Sequence, residues 1–215
     1  MPSKSGSAQT ADAIVLGGGI IGCAIALRLA QARMKVIILD RGKPGAEAST
    51  AAAGMLAPQG ERVEPPSFAD LGVASRELYS PFVAEIEESS GQLVGYRQDG
   101  SLLVALDEEH AEELRETHQE HTKRGFRLEM LEPSEVHRRV RGLADGIRLG
   151  VFVPGDHWVD NQSLMPALVA CCQRLGVSFR VGEAVTRLNA KNGRVESVET
   201  AAAGRRGDSS SPPAE

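Results

Sequence analysis

The stretch Ala13-Ile-Val-Leu-Gly-Gly-Gly-Ile-Ile-Gly22 changes character partway through, and Met34-Lys-Val-Ile-Ile-Leu39 repeats its opening theme before stopping at Asp40. Ala13 to Leu16 reads as a short buried strand, Gly17 to Gly22 as a turn, and the residues that follow as an apolar helix through about Ala32. Met34 to Leu39 is a second strand, apolar apart from Lys35. Strand, glycine turn, helix and strand in this order begin a parallel sheet. Strands apolar along their whole length predict that both sheet faces are covered.

Glycine-rich turns are common, so the spacing Gly17-x-Gly19-x-x-Gly22 gains its weight from context. It follows a strand, opens a helix, and has Asp40 18 residues beyond Gly22, as a dinucleotide-binding fingerprint requires. Gly17 permits the tight turn, Gly19 lets a pyrophosphate approach without meeting a Cβ, and Gly22 lets the helix pack on the strand. Amides near Ile20 and Ile21 are expected to face the phosphates, where the helix dipole adds about 0.3–1 kcal/mol. Asp40 is expected to accept hydrogen bonds from the adenosine ribose, which disfavours a 2′-phosphate and leaves FAD or NAD ahead of NADP. The bland alternative is a ligand-free turn with Asp40 as a surface carboxylate; the complete unit outweighs it.

Composition narrows the remainder. A chain of 215 residues holds one large domain or two small ones. Its 24 Lys and Arg against 29 Asp and Glu leave a net charge of −5, which provides no global positive field for nucleic acid. The apolar stretch Ala13 to Leu27 contains four glycines and falls short of the roughly 20 residues of a bilayer span, so no membrane segment is expected. The leader MPSKSGSAQTAD lacks the features of a signal peptide, and the expected compartment is the cytoplasm. Cys23, Cys171 and Cys172 lack C-x-x-C spacing and read as buried reduced thiols.

Farther along, Ser49 to Leu56 holds a helical turn or two, and Phe68 to Ser90 has helical spacing. Leu93 to Leu106 predicts a hairpin around Asp99-Gly100. Asp107 caps a charged helix to about Arg124, and Glu132-Pro133 opens another. Gly146 to Val153 is a strand, Asp160 or Asn161 caps a helix to about Arg174, and Ser178 to Leu188 and Arg194 to Thr200 are strands around a Lys191-Asn-Gly193 turn. From Ala201 the pattern stops, which predicts a loop or disordered tail holding Arg205 and Arg206. His118-x-x-His121 has the spacing of a partial metal site without a third ligand, so a solvated helix face is expected and no metal. Trp158 is read as a loop anchor.

The segment Arg41 to Leu56 is too rich in glycine and alanine for an ordinary crossover helix, and it decides between nicotinamide and flavin. Together with GGGIIG and Asp40, the run Gly45-x-x-Ala-Ser49-x-Ala-Ala-x-Gly54-Met55 resembles the FAD-dependent amino acid oxidase superfamily of glycine oxidase, D-amino acid oxidase and sarcosine oxidase. The glycine oxidases of thiamine biosynthesis match most closely. The resemblance covers about residues 12 to 200 and implies a mixed α/β fold, a Rossmann-like FAD-binding domain with an inserted, incomplete antiparallel substrate domain. Its parts would be a leader at 1–11, FAD-binding segments at 12–90 and 156–200, a partial substrate domain at 91–155 and a tail at 201–215. The segments Tyr96 to Leu102 and Phe152 to Asp160 resemble the entry to and return from that inserted domain.

Carried over position by position, the resemblance implies that Ile20 and Ile21 meet the pyrophosphate and Asp40 and Arg41 the adenosine, with Gly17, Gly19 and Gly22 of the loop also counted as cofactor-binding. Ala48 and Ser49 would lie along the phosphate and ribityl chain, Ala53, Gly54 and Met55 near the isoalloxazine, and Val185 at the adenine. Core packing is an equal alternative for Met55 and Val185. The implied reaction takes glycine or a similar small amine as the free amine, passes a hydride from its α-carbon to the flavin, and returns the electrons to O₂ as H₂O₂. No side-chain base is required, and no catalytic residue is named. The family continues into a second half that carries the substrate-binding Arg, and no residue here matches it, so a truncated member, or one completed by a second chain, is expected. Homo-oligomerisation stays open, as does the alternative of a non-catalytic flavin-binding remnant. An NAD-dependent dehydrogenase is disfavoured by Gly45 to Met55.

Overall fold

The computed structural model describes residues 9–60 and 66–202. In chain order the elements are β1 (Ala13–Leu16), α1 (Ile20–Gln31), β2 (Val36–Asp40), α2 (Ala48–Ala51), β3 (Met55–Leu56), α3 (Pro66–Glu77), α4 (Tyr79–Ser90) and β4 (Ser101–Ala105). They continue with α5 (Glu108–Lys123), β5 (Glu129–Leu131), α6 (Pro133–Arg139), β6 (Leu149–Val153), β7 (His157–Trp158), α7 (Asn161–Arg174), β8 (Ser178–Val181), β9 (Glu183–Lys191) and β10 (Arg194–Ala202). The fold is mixed α/β, and the chain divides into two units, Met1–Ala51 with Met165–Glu215, and Ala52–Leu164.

The first unit is built on the parallel sheet β1-β2-β8, with Ala13 beside Val36 and Ile37 beside Ser178. Val36 to Leu39 are all buried, as a strand covered on both faces should be. β1 departs from that expectation. It lies at the sheet edge, and Ile14 and Leu16 are 37% and 49% exposed. The second strand begins at Val36 rather than Met34 because α1 closes on Arg33 in a left-handed conformation (φ 64°), with Met34 N still donating to Leu29 O. Ala, Leu, Arg and Gln make up seven of the twelve residues of α1, concentrated after Cys23, and Arg28 in its last turn complements the dipole.

The single strand expected over Ser178 to Leu188 is two. Gly182 breaks it in a left-handed conformation (φ 75°), so β8 stays parallel to β2 while β9 turns away to pair antiparallel with β10. Asn192 and Gly193, both at positive φ, make the tight connection that the Asn-Gly pair predicts. β10 extends through Ala202, two residues past the expected stop. The expected leader and tail, including Arg205 and Arg206, otherwise lie mostly outside the described residues.

The second unit holds the antiparallel sheet β4-β6-β5 and the two-stranded β3-β7. No Leu93–Leu106 hairpin forms. Gly100 turns at φ 82° and its N–H goes to Asp156 O, while Arg97 bridges Trp158 and Ser101 pairs with Val153. The two arms thus join different sheets, because each finds a longer-range apolar partner. Leu128, Val151 and Val153 form one core cluster, and Leu131, Val136 and Ile147 another. Phe68 to Ser90 is two helices, broken at Leu78. Asp107 caps α5, accepting from His110 N at 2.9 Å, and Pro133 opens α6. Among the described residues no helix is long and apolar enough to cross a membrane.

Candidate functional site

In the first unit the glycine loop is tied into the sheet by Gly17 N, which donates to Leu39 O at 2.8 Å. Gly17 turns at φ 96° with open space around it, whereas a Cβ on Gly22 would fall 2.0 Å from the Gly17 carbonyl oxygen. The third glycine therefore does what the spacing predicts, letting α1 lie on the loop. Gly19 is the helix N-cap and supplies no side-chain hydrogen bond, so α1 begins without a cap of its own. A Cβ on Gly19 would come 2.9 Å from Ser49 Oγ.

That serine is central to the local geometry. Ser49 Oγ accepts from Ile20 N at 3.0 Å, so one of the amides expected to face a phosphate is held by a hydroxyl from α2. Ile21 is 73% exposed at the open end of the helix. Asp40, at the end of β2, accepts from Gly18 N at 2.6 Å through Oδ2 and from Gly42 N at 2.7 Å through Oδ1. Arg41 is exposed and pairs with Glu47 at 2.8 Å. Ala48 is exposed and Ser49 half-buried. Val185 is half-buried on β9, opposite Thr200.

Ala53, Gly54 and Met55 belong to the second unit. Gly54 sits at φ 78°, and a Cβ there would fall 1.9 Å from Val159 O, so glycine is demanded twice over. Its carbonyl accepts from Val159 N at 2.9 Å. Met55 opens β3 beside Trp158 and is 58% exposed, and Ala53 is exposed as well.

Sequence reasoning missed the residues that brace this loop. Gly18, an unconstrained position in the motif, gives its N–H to Asp40 and its carbonyl to Cys23 Sγ at 3.3 Å. Cys172 Sγ in turn reaches Cys23 O at 3.3 Å, so the thiols are buried structural links. The hydrogen bond to Cys172 lowers the Cys23 pKa, and the same contact together with burial raises that of Cys172. The apolar spacing around Cys23 and Cys172 signalled burial, but not this partnership.

Two other readings need correction. His121 is not on a solvated face. It is 4% exposed, its Nδ1 lies 2.7 Å from Gln59 O, and its ring meets Phe126 edge-on. Ala111 and His121 are the buried residues of α5, so the imidazole belongs to its inward face. Trp158 is 39% exposed and sits in the short strand β7 opposite Met55 rather than in a loop. Among the described residues no cluster of three or more His, Cys, Asp or Glu could hold a metal ion.

Residues 12–210 match the family described as FAD dependent oxidoreductase. The bifunctional protein ThiO/ThiG of Synechocystis sp. is 35% identical over 193 residues, covering 89% of this chain and 28% of that protein. Glycine oxidase of Geobacillus kaustophilus is 31% identical over 166 residues, 77% of this chain and 44% of that protein. Its crystal structure superposes with a TM-score of 0.84 at 28% identity, covering 88% of this chain and 51% of that one. This chain thus spans between about a quarter and a half of these relatives. With the glycine loop, the acidic end of β2 and a match over nearly the whole described chain, it belongs to the FAD dependent oxidoreductase family, an enzyme family whose cofactor is FAD.

Proposed function

We propose that the first unit binds FAD through the Gly17–Gly22 loop, and that the protein oxidises glycine or another small amine to the imine with O₂ as the electron acceptor. The observation that carries this reading is the pairing of the α1 N-terminus, whose Gly19 cap makes no side-chain bond and whose Ile20 N is held by Ser49 Oγ, with Asp40 beside it. The first-turn N–H groups beyond Ile20 are the donors offered to a pyrophosphate. Asp40 has about four lone-pair sites and uses two on Gly18 and Gly42, so acceptors remain for ribose hydroxyls. Ile20, Ile21, Ala48 and Ser49 would line the phosphates, with Arg41 and Val185 toward the adenosine and Ala53, Gly54 and Met55 toward the ring system.

The flavin, when bound, supplies the hydride acceptor and the route of electrons to O₂. The protein's part is to hold donors and carboxylate in place, which the 2.8 Å tie of Gly17 N to Leu39 O and the Gly18–Asp40 bond accomplish before any ligand arrives. The likeness to glycine oxidase supports a small amino acid as substrate; we extend the proposal to a role feeding thiamine biosynthesis in the cytoplasm. A second reading is that these 215 residues bind flavin without turning substrate over.

Titration of desalted protein with FAD, followed by flavin fluorescence, tests the first step; glycine and sarcosine with peroxide detection test the second. Saturable FAD binding that Asp40→Asn weakens, with peroxide formed, is the expected result. Binding without peroxide selects the second reading. Folded protein that ignores FAD overturns both.

A further inference from the structure

The second unit contains a cavity of about 230 Å³, walled by Met55, Leu56 and Pro58 on one side and by Phe68, Gly72 and Arg76 of α3 on the other. That volume lies below the range of roughly 300–1,000 Å³ usual for drug-sized ligands and suits a molecule of a few heavy atoms. Most of the wall is apolar; Ser75, Tyr79 and Arg76 supply its polar groups, and Arg76 alone is charged.

Arg76 is only 9% exposed. A guanidinium carries five N–H donors and no acceptor. Nη1 donates to Gly155 O, and Nη2 reaches Glu77 only at 4.0 Å, a carboxylate whose side chain is 69% exposed. Nε has no hydrogen-bond partner, and no other buried side-chain nitrogen or oxygen among the described residues shares that condition. The buried carboxylate of Asp156 is engaged elsewhere, accepting from Gln59 N and Ser101 Oγ. Burying a cation with donors unmet is costly, and an acceptor that also carries negative charge relieves both the unmet N–H and the charge. Burial and the field of Arg76 together also hold His157 below the ordinary imidazole range, which places the cation close to that ring.

We propose that this cavity binds a small monocarboxylate with a short aliphatic body, its carboxylate bridging Nε and Nη2 of Arg76 and its chain lying against Met55, Leu56 and Phe68. A planar carboxylate matches the fork formed by those two nitrogens, and a compact ammonium could not replace it. The site goes beyond the oxidase reading and requires no flavin. Its ligand is either the amino acid substrate or a separate carboxylic acid, which share this chemistry.

The test uses the full chain labelled with ¹⁵N-arginine and ¹³C-methyl methionine. The Nε–Hε resonance of Arg76 is assigned by its loss in Arg76→Lys, and the Met55 methyl is a second reporter that survives the substitution. Butyrate is expected to move both signals saturably, with the isosteric amide butyramide weaker by about tenfold or more, and Arg76→Lys to weaken butyrate by a similar factor at the Met55 methyl. Glycine that displaces butyrate identifies the ligand as substrate, and glycine that leaves it in place identifies a separate acid; the site stands in both cases. An Arg76 signal unmoved by butyrate, equal binding of butyramide, or unchanged affinity in Arg76→Lys overturns it. Should Arg76→Lys fail to fold, the comparison of butyrate with butyramide on the unaltered protein decides. FAD binding measured on the same samples reports separately on the flavin reading.

Discussion

Replacing Gly22 with alanine places a methyl group 2.0 Å from the Gly17 carbonyl oxygen and 3.3 Å from Val15 Cγ1. Real Cβ atoms essentially never approach a neighbour closer than 3.0 Å, so the helix or the loop must retreat by about 1 Å. Neither side is free to do so. Gly17 N is bound to Leu39 O at 2.8 Å, Cys23 N to Gly19 O at 2.9 Å, and Cys23 Sγ to Gly18 O at 3.3 Å. Overpacking costs about 1–3 kcal/mol where side chains can adjust, and a backbone carbonyl adjusts less, so about 3 kcal/mol is expected. Gly17→Ala provides the contrast. Nothing lies within 4 Å of its Cβ, and only the left-handed φ of 96° is penalised, at about 1–2 kcal/mol. Urea unfolding followed by circular dichroism reads both, and FAD titration should show the weaker binding in Gly22→Ala. A Gly22→Ala protein within about 0.5 kcal/mol of the parent, or less destabilised than Gly17→Ala, would refute the packing argument.

Ser49→Ala removes the acceptor of Ile20 N and should cost about 0.5–1.5 kcal/mol in flavin-free protein, read from the same unfolding curves; no loss means the amide finds another partner. Cys23, Cys171 and Cys172 should resist a thiol reagent at about pH 8 in the folded state, all three reacting after denaturation, and rapid labelling of native protein would contradict their burial. His110 should titrate above the ordinary 6.5, raised by its hydrogen bond to Asp107 and by that carboxylate's charge, and His157 below it, lowered by burial and then Arg76; two-dimensional NMR of the imidazoles checks both. The His110 contribution to stability is complete below 6.5 and disappears as pH rises through its folded midpoint. That of Asp107, whose carboxyl is lowered by hydrogen bonds from His110, is complete above 3.8 and lost as pH falls through its folded midpoint. The start of α5 should therefore show greatest amide protection between those values, and a monotonic trend would count against the pair. His157 acts in the opposite sense, since acidification below 6.5 charges a group that the fold keeps neutral.

What could be read in advance follows the range of the forces involved. The β1-α1-β2 unit rests on local periodicity and on glycines whose steric reasons are visible within ten residues, and it formed as expected. The cap at Asp107, the Pro133 start and the Asn192-Gly193 turn are equally local. The hairpin around Gly100 failed because its arms are chosen by Trp158 and Val153, more than 50 residues away, which no local pattern announces. The site shows the same divide. Gly17, Gly22 and Asp40 could be read from spacing, whereas the grip of Ser49 on Ile20 N and the bridge from Cys172 through Cys23 to Gly18 depend on packing between distant segments.

Among the described residues no strand pairs with the outer edge of β1, and this has a practical side. Its four residues Ala13 to Leu16 carry no charge, no proline and no bulge, the usual guards against unwanted strand-to-strand sticking. Concentrated stocks should therefore cloud first in sulfate or phosphate, which drive apolar surfaces together, and a lysine at position 14 should keep them clear.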